Sequence, residues 1–381
     1  MLLDRRSFVR ASAIAAGTAL LAPASLARAA GRVRQPAKDA ATAAAKPLLE
    51  WKELTKDAKG NTVWAVIGGG GNTMVLDYEG TQEVPRTEDR RGRGGSIDAP
   101  NDRSIFRAAL VVDTKMTGYG RIIRRGIDSR GMRVASLINT HHHYDHTGGN
   151  DAFIGGDVSS VAHPKALARI IGNVDRYSNG ATGALRDFEK INTDEARAAA
   201  ADAKTLISKM AELSNDNIAA LFSPQYSVDD AKSSYGKVTV TLTHVGAGHT
   251  DNDLLVFLPE LDVLHTGDLL FNKVWPYIDR AGGCDTKGWI TSLERAFNMC
   301  SKKTIVIPGH GDITDRDAIT RQIAFFKDLR ERAAKAVAAG TARDEFLKLD
   351  PPEYKDFAAA DWIKPITLGG LWDEAKGVPI A

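Results

Sequence analysis

The residues with the clearest chemical purpose lie in one run, Thr140-His141-His142-His143-Tyr144-Asp145-His146-Thr147-Gly148-Gly149-Asn150. Neutral imidazole is a preferred zinc ligand at about 2.0–2.1 Å, and His141 and His143, two apart in a tight turn, can converge on one ion. Asp145 and His146 then point at a neighbouring position. The same residue types recur downstream in Gly248-His249-Thr250, Thr266-Gly267-Asp268 and Pro308-Gly309-His310-Gly311, each at the end of an expected strand. One such motif is weak evidence for a metal site. Four in order are strong, because a merely solvated polar loop has no reason to be followed by matching pieces at later strand ends.

Together these motifs resemble the metallo-β-lactamase superfamily over roughly residues 60–340, with H-x-H-x-D-H as the most specific stretch. The resemblance implies an α/β fold, a four-layer αββα sandwich, and two metal ions. Zinc is expected, since histidine and carboxylate ligands suit it and nothing points to thiolate or haem chemistry. His141, His143 and His249 are implied ligands of the first ion, Asp145, His146 and His310 of the second, and Asp268 of both. Asp113, at the end of its strand, matches a family carboxylate that orients a ligand histidine. Two metals about 3.5–4 Å apart lower the pKa of a shared water enough to give a hydroxide nucleophile near neutrality, so no serine or cysteine nucleophile is required. Asp145, a ligand with one oxygen to spare, is the candidate for handling the proton.

Departures from known branches narrow the substrate. The β-lactamases of the superfamily generally place cysteine or serine where Asp268 stands, which disfavours dedicated β-lactam hydrolysis. Glyoxalase II enzymes carry Cys-Gly-His-Glu-Tyr at the last histidine and Gly-Cys-Gly-Arg after the bridging aspartate. Here those positions read Pro308-Gly309-His310-Gly311-Asp312 and Ala281-Gly282-Gly283-Cys284, which disfavours glutathione thioesters. An ester, lactone, thioester or amide-like bond in a small molecule is the expected target. A mononuclear iron persulfide dioxygenase and a metal-binding protein without catalysis remain open alternatives of the same fold, although a complete seven-ligand set favours two metals and an intact site. Tyr144, Phe271, Trp275, Tyr277 and Asp279, next to ligand positions, are candidates to line a substrate pocket. His142, His163, His244 and His265 are read as structural: His163 opens a helix before Pro164, and His265 lies within the strand leading to Asp268.

Positioning these groups falls to recognisable elements. Residues 108–112 form a buried strand ending at Asp113, and residues 134–138 form another ending just before the histidine cluster; strand ends are where sites gather. Residues 62–67 and 73–78 flank Gly68-Gly69-Gly70-Gly71 and read as a hairpin. A phosphate-cradling loop would lead into a helix, and this one leads into a strand. Residues 79–104, charged and Gly-rich, predict a long exposed loop, placed where related enzymes carry a hairpin near the site, so that the resemblance implies a substrate flap. Residues 164–222 turn helical, with Leu206, Met210 and Leu213 at helix spacing behind an Asn192-x-x-Glu195 start. Strands are expected at 237–243, 254–258, 263–266 and 304–307, with a helix near 292–299. A long helix from about Thr314 shows Ile319, Ile323, Phe326, Ala333 and Val337 on one face and stops at Gly340. Strand runs flanked by helices in both halves suggest two sheets sandwiched between helices.

The 381 residues, 43% apolar and 26% charged, suffice for a sizeable core. The first 29 residues read differently. Arg5-Arg6-Ser7-Phe8 precedes an apolar run from Ala11 to Ala22 and then Ala27-Arg28-Ala29. That run is shorter than the roughly 20 residues a bilayer span needs, and the Ala-x-Ala ending suits a signal peptidase. The paired arginines resemble a twin-arginine export signal, which predicts the twin-arginine export machinery as a partner, a periplasmic or secreted mature protein, and no stable membrane span. Removing residues 1–29 takes away four Arg and one Asp, so the formal charge falls from +2 to −1, and no basic footprint for nucleic acid remains. Residues 30–50 read as a flexible lead-in, 51–345 as the catalytic domain and 346–381 as a C-terminal extension. Cys284 and Cys300 are too few for a disulfide framework and are read as buried and unpaired.

Overall fold

The run Ala108-Ala109-Leu110-Val111-Val112 shows why the two sheets stack. Side chains on a strand alternate faces, and here both sets are apolar. Ala108, Leu110 and Val112 join a cluster with Val240, Val256, Val263 and Ile307, while Ala109 and Val111 pack with Ile123, Ile127, Phe188 and Ala199. Such a strand has a sheet on one side and helices on the other. The computed structural model describes residues 46–84 and 102–380. The export signal, most of the lead-in and the centre of the charged loop lie outside the described residues.

The first sheet has seven strands in the order β1 (Glu50–Lys56), β2 (Thr62–Ile67), β3 (Thr73–Val84), β4 (Asp102–Val112), β5 (Arg133–Ile138), β6 (Ser159–Ala162) and β7 (Tyr226–Ser227). It is antiparallel from β1 to β4 and parallel from β4 onward. The second sheet runs β12 (Ile305–Gly311), β11 (Val263–Asn272), β10 (Leu254–Leu258), β9 (Val238–His244) and β8 (Asp230–Tyr235), with β11 and β12 parallel and the rest antiparallel. Helices Gly120–Asp128, Val174–Glu189 and Asp194–Ala211 cover the first sheet through Ile123, Phe188 and Ala199. Helices Thr286–Met299, Asp317–Ala338 and Ile363–Ala375 cover the second through Trp289, Phe326 and Leu371. The result is the four-layer αββα sandwich expected.

Several sequence expectations are corrected. The exposed loop at 79–104 begins and ends as a ribbon: the β3–β4 ladder continues from Met74↔Val112 out to Val84↔Asp102. Main-chain pairing sustains it without an apolar pattern, and Ile105 there is left exposed. The helix expected behind Asn192 starts one residue later, capped by Thr193, whose hydroxyl accepts from Ala196 N. The Glu195 carboxylate accepts from Leu48 N instead of closing a capping box. Residues after 345 are not an appendage, since Phe346, Leu368, Leu371 and Trp372 are buried in the core of the second half.

Strand β11 does not stop at residue 266. It continues to Asn272, with irregular register around Gly267, where φ is +51°. Side chains take over where the ladder breaks: Gln322 accepts from Phe271 N and donates to Leu269 O, and Trp289 Nε1 also donates to Leu269 O. Asp268 therefore projects from a braced strand. Cys284 and Cys300 are both buried and unpaired. Among the described residues no helix is long and apolar enough to cross a membrane.

Candidate metal centre

Strand β5 delivers the histidine run. Asn139 follows it, donating Nδ2 to His146 O and to Asn150 Oδ1, while Asn150 returns a bond to Asn139 Oδ1. This lock folds residues 140–150 into a turn carrying the short helix Tyr144–Thr147. Asp113 lies beneath it, fully buried, with φ +62°, a conformation side chains rarely adopt. Its carboxylate accepts from Thr140 N at 2.8 Å, from Thr140 Oγ1 at 2.7 Å and from His146 Nδ1 at 2.7 Å. Thr140 Oγ1 in turn accepts from His141 Nδ1 at 3.0 Å. One carboxylate thus holds the outward protons of two histidines, leaving both Nε2 lone pairs aimed inward.

Two groups of donors meet there. His141, His143, His249 and Asp268 form one, and Asp145, His146 and His310 the other, the ligand atoms within each lying within 4.8 Å of one another. Asp268, nearly fully buried, faces both. Its Oδ2 is 3.8 Å from His141 Nε2, 3.4 Å from His249 Nε2 and 3.4 Å from His310 Nε2, and its Oδ1 is 2.9 Å from His146 Nε2. His310 Nε2 also lies 3.1 Å from Asp145 Oδ2. The structure therefore brings together all seven expected ligands.

The donor set fits divalent cations. Buried His141 Nε2, His146 Nε2 and Asp268 Oδ1 have no hydrogen-bond partner, an expense that buried polar groups rarely bear. Burial drives the His141 ring well below the ordinary histidine range and His249 to about 3, so both rings are neutral donors. At His146 and His310 burial acts in the same direction but is outweighed. Asp268, Asp113 and Asp145 hold His146 well above its usual value, and Asp268 and Asp145 lift His310 to about 10. The carboxylates thus create a demand for positive charge at that point, which a cation supplies.

The remaining expectations fall in different places. Phe271 stacks on His310 with centroids 5.0 Å apart, and Tyr277 lies 5.6 Å from His143. Tyr144 turns away, edge-on to Tyr177, and accepts from Thr117 N. Trp275 is corrected from pocket wall to core: it packs edge-on against Phe325 and Tyr354. His265 is structural, its Nε2 donating to Asn72 O and its Nδ1 accepting from Gly267 N. His163 caps the helix Pro164–Ile171 by accepting from Lys165 N, with the His244 ring beside it. His142 bonds to Asn252.

Sequence reasoning missed several supports. Asn72 donates to Gly309 O, Pro308 O and Gly311 O, tying the β2–β3 turn to the strand that carries His310. Buried Lys115 donates to Val66 O and Gly71 O. Gly71 donates to Asp145 O and lies directly under His146. The glycine turn has a task after all: its backbone presses where any side chain would intrude.

This fold and site define a protein with a two-part histidine and aspartate centre between two sheets. The chain belongs to the metallo-beta-lactamase superfamily, whose family profile matches residues 107–310, and the fold implies divalent metal binding. It is 26% identical over 93 residues to a metallo-beta-lactamase type 2 from Bacillus cereus, covering 24% of this chain and 36% of that enzyme. A hydroxyacylglutathione hydrolase from Polaromonas sp. is 48% identical over 48 residues, 12% of this chain and 18% of that one. Both matches span well under half of the relative's length. The sec-alkylsulfatase Pisa1 from Pseudomonas sp. shares the fold with a TM-score of 0.54 at 14% identity, over 86% of this chain and 50% of that one.

A Cβ at Gly71 would fall 2.2 Å from His146 Cε1, whereas one at Gly183, on the helix Val174–Glu189, meets nothing within 4 Å. Gly71→Ala should displace His146, lowering zinc uptake and melting temperature together. Gly183→Ala should bind zinc as the parent does and gain up to about 1 kcal/mol in stability. Parental zinc uptake by Gly71→Ala would show that the turn does not press on the site.

Proposed function

We propose that the protein is an exported, dinuclear zinc-dependent hydrolase that cleaves an ester, lactone, thioester or amide-like bond in a small molecule. The observation that carries this reading is Asp268, one buried carboxylate within 3.8 Å of ring nitrogens from four histidines. Such an arrangement suits a bridge between two cations. When bound, the ions would supply a water of lowered pKa and would polarise the bond under attack. His141, His143 and His249 would hold one ion and Asp145, His146 and His310 the other.

The protein's own groups then divide the remaining work. Asp268 is sealed from solvent and serves as a fixed charge. Asp145 keeps 29% of its side chain exposed while one oxygen faces His310, so it is the carboxylate of the set that can exchange a proton with bulk water. Phe271 fixes the His310 ring by stacking, and Tyr277 offers an aromatic edge beside His143. Aspartate at position 268 supports a reading away from dedicated β-lactam hydrolysis, and the Pro308-Gly309-His310-Gly311-Asp312 stretch supports one away from glutathione thioesters.

Metal-stripped protein should be inert and regain turnover with zinc in a screen of lactones, aryl esters, thioesters and phosphoesters. Asp268→Ala should lose at least about 100-fold in turnover along with one metal equivalent. His265→Ala should keep its metals and lose about 1–3 kcal/mol of stability, through unpaired buried groups at Asn72 and Gly267. A single iron per chain with oxygen consumption on persulfide would replace the hydrolase with a dioxygenase. Metal uptake without turnover on any of these substrates would favour a binding protein.

The reading as an exported protein rests on Arg5-Arg6 and the apolar run that follows. A twin-arginine receptor reads both side chains, so the Arg5→Lys, Arg6→Lys double variant should leave precursor in the cytoplasm. Normal amounts of the double variant in the periplasm would instead indicate an ordinary secretory signal.

A further inference from the structure

The histidines of the 140–150 turn are not all held by the same carboxylate. Asp113 serves His146 directly and His141 through Thr140. His143 is held differently. Its Nε2 lies 2.8 Å from Asp279 Oδ2, on the segment after β11, and its Nδ1 lies 2.8 Å from His249 Nε2 inside the first donor group. As the residue preceding the helix Tyr144–Thr147, His143 makes no side-chain capping bond that would orient it otherwise.

We infer that Asp279 is a positioning residue for the first metal position, taking the Nε2 proton of His143 and so committing Nδ1 to the ion. A ligating imidazole needs its other nitrogen protonated and bonded if its tautomer and ring plane are to be fixed. The Asp279 carboxylate supplies that partner from a well-anchored loop. Cys284 N donates to Asp279 O, Asp251 N donates to Gly282 O, and Arg169 donates to Ala281 O while forming two bonds to the Asp251 carboxylate. Gly282 is needed for the approach, because a Cβ there would fall 1.9 Å from Asp279 Oδ2. Arg169 thereby links the helical insertion to the loop that carries Asp279.

A competing arrangement uses the same atoms. His142, His143 and Asp279 also meet the spacing for a separate cation. That would require the His143 ring to bind ions at both nitrogens as an imidazolate, giving up a very weakly acidic proton. His142 Nε2, moreover, stays 3.8 Å from Asp279 Oδ2. The proton-holding role needs neither.

The inference rests on the metal-binding reading of the centre, and its test does not depend on substrate. Zinc affinity would be measured by competition with a chelator, and the His143 ring followed by nitrogen-edited NMR in the zinc-loaded protein. The parent should show a protected Nε2–H signal for His143. Asp279→Ala should lose that signal and weaken one of two zinc ions about 10–100-fold. Asp279→Asn, which keeps an acceptor oxygen, should recover most of the affinity and the signal. His142→Gln should match the parent in zinc number and affinity. Parental affinity in Asp279→Ala would overturn the inference while leaving the metal centre intact. So would a fall from three ions to two in both Asp279→Ala and His142→Gln, which would make Asp279 a ligand. A parent that takes up no zinc would refute the metal reading itself, and this inference with it.

Discussion

The architecture is organised around a buried electrostatic conflict at Asp268. His146 Nε2 stands 2.9 Å from its Oδ1, and the Nδ1 proton of that ring is directed to Asp113. When that ring is neutral, its Nε2 lone pair and a carboxylate oxygen at that separation repel each other, and a proton or a metal cation between them removes the repulsion. The Asp145 carboxylate, 3.7 Å from the same nitrogen, adds to the demand. Uncompensated charge in such a place costs several kcal/mol, so the centre is arranged to receive cations. The outer hydrogen bonds to Asp113 and Thr140, and the one to Asp279, each occupy one ring nitrogen and leave the other nitrogen of that ring facing the centre.

Such a centre requires two sheets to be held in fixed register. His141, His143, Asp145 and His146 come from the turn after β5, and Asp268 and His310 from β11 and β12 of the opposing sheet. The apolar layer between the sheets, with Leu110 and Ile138 against Val256 and Ile307, sets their spacing. Apolar packing is non-directional, however, and does not by itself fix a position to a fraction of an ångström. Directional bonds finish the alignment. Asn72 ties the β2–β3 turn to β12, and Leu254 N donates to Thr140 O, fastening the start of β10 to the histidine turn.

The candidate ligand set is legible in the sequence because metal coordination demands particular residue types at short spacings, and the His141–His146 run states four of the seven in six positions. Strands such as 108–112 were legible because apolar runs mark two-sided burial. In the sequence Asp279 reads only as a neighbour of the site, and its bond to His143 spans 136 positions without any local pattern. Asn72 and Lys115 act through backbone carbonyls, which leave no compositional trace. The outer β3–β4 ribbon leaves no sequence signal, because ladder bonds hold it where the residues show no apolar alternation. Strand β11 runs past its expected end at residue 266 because Gln322 and Trp289 satisfy the chain beyond Gly267, and such long-range bonds leave no local signal.

The central claim is that Asp268 lies between two cations, and anomalous diffraction at the zinc absorption edge, from crystals grown with zinc, tests it most directly. The account predicts two peaks about 3.5–4 Å apart, one among His141, His143 and His249 and the other among Asp145, His146 and His310, with the Asp268 carboxylate in contact with both. A single peak, or two peaks of which one leaves Asp268 untouched, would contradict it.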